Sequence, residues 1–204
     1  MERLGILGGT FDPPHTGHLA LARAASDQLS LTRVLWAVAA DPPHKQGRVH
    51  TAAEVRVRLV QAAIAGEPDM ALSRVDLDRP GPHYTVDALA LLAKQYPHTT
   101  LIFLIGGDSL RDLPSWRRPD ELIRLCRLGV LRRPEADFDL TELESVLPGI
   151  TGRIDFVTAP PVSASSQEIR ALAAVGASLV GLVPDRVAAL IEAERIYASD
   201  DDED

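Results

Sequence analysis

Eleven consecutive residues, Gly8, Gly9, Thr10, Phe11, Asp12, Pro13, Pro14, His15, Thr16, Gly17 and His18, separate the first apolar run from an amphipathic stretch. Paired glycines let a ligand approach the backbone closely. His15 and His18 lie three residues apart, so at the start of a helix they project to one side. The unpaired N–H groups and the positive dipole end of such a helix favour an anion, and two imidazoles beside it can donate hydrogen bonds to phosphate oxygens. Either histidine alone reads as an exposed turn residue; the whole string does not. It is neither a dinucleotide fingerprint nor a P-loop, because G-x-G-x-x-G and G-K-[ST] are both absent.

Other residues carry chemistry with an ordinary structural reading beside it. His44 and Lys45 follow a Pro-Pro stop and share their segment with Arg48 and His50. That cationic loop suits a phosphate, or is simply solvated. Asp108 follows Gly106 and Gly107, where a carboxylate can accept from a ribose hydroxyl or cap a helix start. Trp116 follows a Leu-Pro-Ser turn, and its indole can stack on a flat ring or anchor the core. Ser165 and Ser166 cap a stretch with Arg170 one turn on, a phosphate fork or a surface arginine. Arg132 and Arg133 end a strand-like run, with Arg133 a candidate second cation. Cys126 reads as a small buried apolar residue. Asp76, Asp78 and Arg79 read as a solvated loop, and Glu142 and Glu144 as helix residues far from any ligand.

Short apolar runs alternate with helix-length amphipathic ones. Strands are expected at Leu4 to Leu7, Val34 to Val38, Met70 to Val75, Leu101 to Ile105, Leu128 to Leu131 and Ile154 to Val157. Helices are expected near 18–29, 52–65, 85–95, 118–126, 141–147, 166–174 and 185–198. Thr51 with Glu54, Thr141 with Glu144 and Ser165 with Glu168 have capping-box spacing, and Pro184 suits a first helical position. Leu101 to Ile105 are apolar at every position, as in a parallel sheet covered on both faces. The expected fold is a doubly wound, Rossmann-like α/β sheet with helices on both faces and ligands at the carboxyl ends of the strands. One domain over 1–198 is expected, followed by a solvated acidic tail, 199–204, without fixed structure.

The 204 residues are 46% hydrophobic and 25% charged, which excludes a disordered or fibrous chain. The formal net charge of −8 argues against nucleic acid or anionic membrane as partner, although five of those charges sit in residues 200–204. A single cysteine without a CxxC or Cys/His pattern fits a reducing, cytoplasmic setting. There is no apolar run long enough to span a membrane, and no signal-peptide pattern at the N-terminus.

The string from Gly8 to His18 resembles the first signature of the H-x-G-H nucleotidyltransferases that build dinucleotide cofactors, most of all the bacterial nicotinate-mononucleotide adenylyltransferases. Further matches are Pro42-Pro43-His44-Lys45, Tyr84-Thr85-Val86-Asp87, Gly106-Gly107-Asp108-Ser109, Leu113-Pro114-Ser115-Trp116 and Ser165-Ser166-Gln167-Glu168-Ile169-Arg170, so the likeness covers about residues 3 to 197. It implies adenylyl transfer from ATP to nicotinate mononucleotide, giving nicotinate adenine dinucleotide and pyrophosphate. Carried over, His15, His18, Lys45 and Arg170 serve catalysis. Gly8, Gly9, Thr10 and Phe11, with Gly106 and Asp108 and with Arg133, Ser165 and Ser166, join His15, His18 and Arg170 in holding ATP. His44 and Lys45 close over the mononucleotide phosphate, Asp108 contacts the mononucleotide too, and Trp116 stacks on the pyridine ring. Backbone at Thr85, beside Tyr84, and at Arg117 holds the carboxylate. Arg117 departs from the aromatic residue common in the family, and Gln167 replaces a threonine, removing one hydroxyl from the triphosphate side. Mg²⁺ is expected with ATP, without a dedicated protein site. A homo-oligomer is left open. Other acceptors, such as nicotinamide mononucleotide or phosphopantetheine, and a non-catalytic nucleotide-binding module are the alternatives.

Overall fold

The structure is a computed structural model that describes residues 2–40, 51–132, 140–162 and 164–198. The described residues form six strands, β1 (Glu2–Gly9), β2 (Arg33–Val38), β3 (Met70–Ser73), β4 (Thr99–Gly106), β5 (Arg127–Leu131) and β6 (Ile154–Val157). Between and after them run the helices α1 (Thr16–Leu29), α2 (Ala53–Ile64), α3 (Thr85–Gln95), α4 (Gly107–Asp112), α5 (Pro119–Leu125), α6 (Leu140–Val146), α7 (Ser166–Ala174) and α8 (Asp185–Ala193). The strands make one parallel sheet in the order β3-β2-β1-β4-β5-β6. Chain order reverses direction between β1 and β4, and at such a switch point the strand ends part to leave a crevice for a ligand. The expected doubly wound sheet is therefore the one observed.

Both faces of the sheet are covered, which is why its central strands read as unbroken apolar runs. In β4, Ile102 and Leu104 point to the face packed by α1, α2, α7 and α8, while Leu101, Phe103 and Ile105 point to the face packed by α3 and α5. Strand periodicity sends alternate residues to opposite cores, so no position is left for a polar side chain. No helix among the described residues is long and apolar enough to cross a membrane.

Element boundaries depart from expectation where long-range partners intervene. Strand β3 stops at Ser73 because the chain turns at once, with the Asp78 N–H donating to the Arg74 carbonyl at 2.9 Å. Helix α8 ends at Ala193 and does not run to 198, since Arg195 and Tyr197 adopt positive φ of 50° and 74°. Thr51 does not cap α2, whose N-cap is Ala52; its N–H goes to Asp12 Oδ2 instead, while Glu54 is held by Arg74. Thr141 lies inside α6, and Glu144 accepts from the Gly149 and Thr151 N–H groups beyond that helix. Only the third spacing behaves as a cap: Ser165 Oγ accepts from the Glu168 N–H at 3.2 Å.

Candidate active site

The loop from β1 to α1 is shaped by what cannot be placed beside it. A Cβ on Gly9 would sit 2.9 Å from the Phe11 ring, and one on Gly17 would sit 3.0 Å from His15 Nδ1, so a side chain at either position displaces an aromatic ring. Phe11 takes a φ of 51° and turns its ring into the core, 2% exposed, where it meets His18 edge-on at 5.1 Å and Trp36 at 5.1 Å. The Phe11 side chain thus backs the histidine.

His15 is the N-cap residue of α1, and its own N–H donates to His18 Nδ1 at 3.2 Å. An imidazole nitrogen that accepts there carries no proton, so the proton of neutral His18 resides on Nε2. His18 is thereby fixed as a donor pointing away from the loop backbone. The His15 ring lies against it with centroids 3.7 Å apart. Burial pushes the His15 pKa down to about 4, so at neutral pH it is an uncharged imidazole. Its Nδ1 is buried without a hydrogen-bond partner among the described residues.

That depression has a sign that can be tested. Folding lowers the His15 pKa from 6.5 to about 4, so the unfolded chain takes up the proton first on acidification. The stability His15 contributes is complete above pH 6.5, declines through the window from 6.5 to 4, and is gone below it. The shift corresponds to at most about 3 kcal/mol. Urea unfolding at pH 7, 5.5 and 4 should show the His15→Asn variant losing less stability on acidification than the unaltered protein. Equal losses would mean that His15 is not buried in its neutral form.

Three further cationic or polar side chains organise the backbone around the histidines. Arg170 Nη1, one turn into α7, donates to the Asp12 carbonyl at 2.6 Å, and Ser166 Oγ donates to the Pro13 carbonyl at 2.9 Å. The first turn of α7 is thus docked on the loop, bringing Ser165, Ser166 and Arg170 to the same strand ends as His15. Arg56, 2% exposed on α2, donates to four carbonyls: Thr51 at 2.9 Å, Thr10 at 2.8 Å, Ala39 at 2.7 Å and Ala40 at 3.0 Å. It ties the ends of β1 and β2 to the start of α2.

Beside the loop lies a cleft of about 560 Å³ at the carboxyl ends of β1, β2 and β4. Gly8, Gly9 and Thr10 form its wall towards the histidine loop, and Tyr84, Thr85, Trp116 and Arg117 face them. Trp116 is half-buried and meets Phe103 edge-on at 6.2 Å; the Arg117 guanidinium carbon lies 5.7 Å from the Tyr84 ring centroid. The result is an aromatic wall with a cation beside it, suited to a flat ring bearing negative charge.

Asp76 and Arg79, read from sequence as a solvated loop, prove to be part of this cleft's frame. Asp76 is 9% exposed and accepts from Arg79 Nε at 3.1 Å and from the Ala40 N–H at 3.3 Å. Arg79 also donates to the carbonyls of Pro82 at 2.9 Å and Tyr84 at 3.3 Å, which sets the entry into α3. A carboxylate this buried needs such partners. His83 lines the cleft too, with Nδ1 3.8 Å from Asp76.

The described residues therefore bring together His15, His18, Ser165, Ser166 and Arg170 around one loop, and Tyr84, Thr85, Trp116 and Arg117 around the adjoining cleft. Gly106 ends β4 between them, whereas the Asp108 side chain is exposed and pairs with Arg111 at 3.0 Å. His44, Lys45, Arg48, His50 and Arg133 lie outside the described residues, as does the tail 199–204. Sequence reasoning missed Arg56, Asp76, Arg79 and His83. For Arg56 a signal existed: it shares a three-and-four-residue spacing with Leu59, Val60 and Ala63, which places a cation on the apolar stripe of α2.

The sequence profile of the cytidylyltransferase-like family matches residues 6–172. A probable nicotinate-nucleotide adenylyltransferase of Thermomicrobium roseum is 42% identical over 197 residues, covering 97% of this chain and 92% of that protein. One from Gloeobacter violaceus is 44% identical over 201 residues, covering 96% of each chain. Among solved structures, the Plasmodium falciparum nicotinic acid mononucleotide adenylyltransferase complexed with NaAD shares the fold with a TM-score of 0.78, at 18% identity over 97% of this chain and 98% of that one. The chain belongs to the cytidylyltransferase-like family of nucleotidyltransferases, in the group formed by the nicotinate-nucleotide adenylyltransferases.

Proposed function

We propose that this protein transfers the adenylyl group of ATP to nicotinate mononucleotide, giving nicotinate adenine dinucleotide and pyrophosphate in the synthesis of NAD. The observation that carries the reading is the junction of two binding surfaces: a paired-histidine helix start, and an aromatic cleft with a cation, joined by Gly8, Gly9 and Thr10. One surface suits a polyphosphate, the other a nicotinate ring. The relatives are named for this reaction.

The acceptor phosphate is already an anion, so no general base is needed. What opposes reaction is repulsion between two anions and poor alignment, which positioning and fixed donors address. His18, with its proton on Nε2, donates to an oxygen on the transferred phosphorus, and His15 adds a second neutral donor whose N–H costs no charge burial. The Arg170 fork, steadied through one Nη by the Asp12 carbonyl, reaches the polyphosphate with its remaining donors. Lys45 and Arg133 complete the neutralisation from segments outside the described residues. Gly8, Gly9, Thr10, Gly106, Ser165 and Ser166 supply backbone and hydroxyl contacts to ATP; Asp108 serves the riboses and His44 the acceptor phosphate. Bound together with the triphosphate, Mg²⁺ would supply charge screening beside the donors of His18 and Arg170. The reading places the enzyme in the cytoplasm as one folded domain.

Mixing the enzyme with ATP, Mg²⁺ and either mononucleotide, and following pyrophosphate, tests the assignment. Faster release with the nicotinate than with the nicotinamide form is expected; the reverse preference would overturn the acceptor while leaving the reaction class intact. For Trp116→Ala the main loss should fall on the mononucleotide, with its KM rising about 10-fold, the scale of one lost ring stack. Unchanged KM would make Trp116 a packing residue only.

A further inference from the structure

Asp12 is 3% exposed, an ionisable side chain buried between the glycine turn and the histidines. A carboxylate there must be paid for by hydrogen bonds. Its Oδ1 accepts from the Tyr197 hydroxyl at 2.7 Å, its Oδ2 from the Thr51 N–H at 3.3 Å, and its backbone carbonyl from Arg170 Nη1 at 2.6 Å. Tyr197 stands in a turn after α8 in which it and Arg195 both hold positive φ, a conformation that bulky side chains rarely adopt. Such a turn persists only where the surroundings over-determine it. Burial works to raise the Asp12 pKa, but hydrogen bonds from Thr51 and Tyr197 outweigh it and hold the carboxyl below its usual range. The Tyr197 hydroxyl is pushed far above its usual range by burial and by the neighbouring Asp12, so it keeps its proton and donates. Neither residue lines the cleft.

One end of the chain is thus bonded to the loop at the other end by a group that phenylalanine would lack. The phenyl ring itself packs against the core formed by α1, α2, α7 and α8, a contact that phenylalanine would keep. We propose that Tyr197 is a positioning residue for adenylyl transfer: acting through Asp12, its hydroxyl sets the backbone that aims the Arg170 guanidinium. The proposal rests on the function proposed above. Removing the hydroxyl takes one donor from Asp12, lets the Asp12 carbonyl shift, and misaligns Arg170 without touching the mononucleotide cleft.

The test compares Tyr197→Phe in two backgrounds, the unaltered enzyme and Arg170→Lys, with ATP and nicotinate mononucleotide as substrates and Tm measured for all four proteins. In the unaltered background kcat should fall about 10-fold, the scale of a sub-ångström misalignment, with the mononucleotide KM unchanged within about twofold. In the Arg170→Lys background, where the planar fork is already gone, the same substitution should cost less than about twofold. A role in stability alone predicts equal losses in both backgrounds, tracking Tm, and that result overturns the proposal. So does Tyr197→Phe at unaltered kcat. An unaltered enzyme that releases no pyrophosphate sinks the acceptor assignment and this proposal together, whereas an active one with indifferent Tyr197→Phe sinks the proposal alone.

Discussion

Replacing His18 by alanine should lower kcat by ~100-fold or more, the range found when a preorganised transition-state donor is removed. Everything around His18 serves to hold one donor in one direction. Phe11 meets its ring edge-on at 5.1 Å, His15 lies against it at 3.7 Å, and the His15 N–H occupies Nδ1. Alanine removes the donor yet leaves the helix start, so ATP should still bind, with KM changing far less than kcat. Circular dichroism should report an intact fold. The sharper control is His18→Gln, whose amide can donate in roughly the same direction and should recover part of the rate. Turnover at the unaltered level in His18→Ala would remove this histidine from catalysis and leave the charge stabilisation to Arg170 and Lys45.

Arg56→Leu should be the most destabilising single change among the residues described, lowering the unfolding free energy by about 4 kcal/mol. The guanidinium serves four carbonyls, at Thr10, Ala39, Ala40 and Thr51, from a position 2% exposed, and leucine leaves all four without it. Arg56→Lys should recover only a fraction, because a single ammonium cannot reach carbonyls spread around a planar fork. Urea titration measures this as a lower midpoint at unchanged m, since the surface exposed on unfolding is the same. A loss below about 1 kcal/mol would mean that water replaces the guanidinium at these carbonyls. The substitution should also depress activity, because Thr10 lies on the wall of the cleft.

The layout of strands and helices was legible because its cause is local in sequence. Runs such as Leu101 to Ile105 are apolar at every position, and that pattern has few explanations other than a strand covered on both faces. The histidine loop was legible for a similar reason, since residue type, spacing and the following helix all lie within eleven positions. What escaped were residues whose role is created by distant neighbours. Asp76 and Arg79 look solvated because nothing nearby in sequence buries them; Ala40, 36 residues away, does so together with the entry to α3. Thr51 has the spacing of a cap, but Asp12, 39 residues upstream, takes its N–H first. Phe11 carries the composition of a ligand loop, yet its φ of 51° turns the ring inward. Local pattern thus named the groups able to do chemistry, and sequence-distant contacts decided which of them are buried, paired or turned into the core.

The loop between β1 and α1 has several of its hydrogen-bond partners far along the chain: Ser166 donates to Pro13 across 153 residues, Arg170 to Asp12 across 158 and Tyr197 to Asp12 across 185, while Thr16 donates to the Leu182 carbonyl across 166. During synthesis the ribosome delivers the glycine turn and both histidines well before Ser166, Arg170 and Tyr197. Long-range contacts of this kind close late, because chain entropy must be spent before they form. A nascent chain can lay down the central strands well before its nucleotide loop takes shape. Products of premature termination short of α7 would therefore carry the whole signature string and most of the sheet, yet lack the bonds from Ser166, Arg170 and Tyr197 to Pro13 and Asp12, so that competence waits until α7 and the turn after α8 have been made.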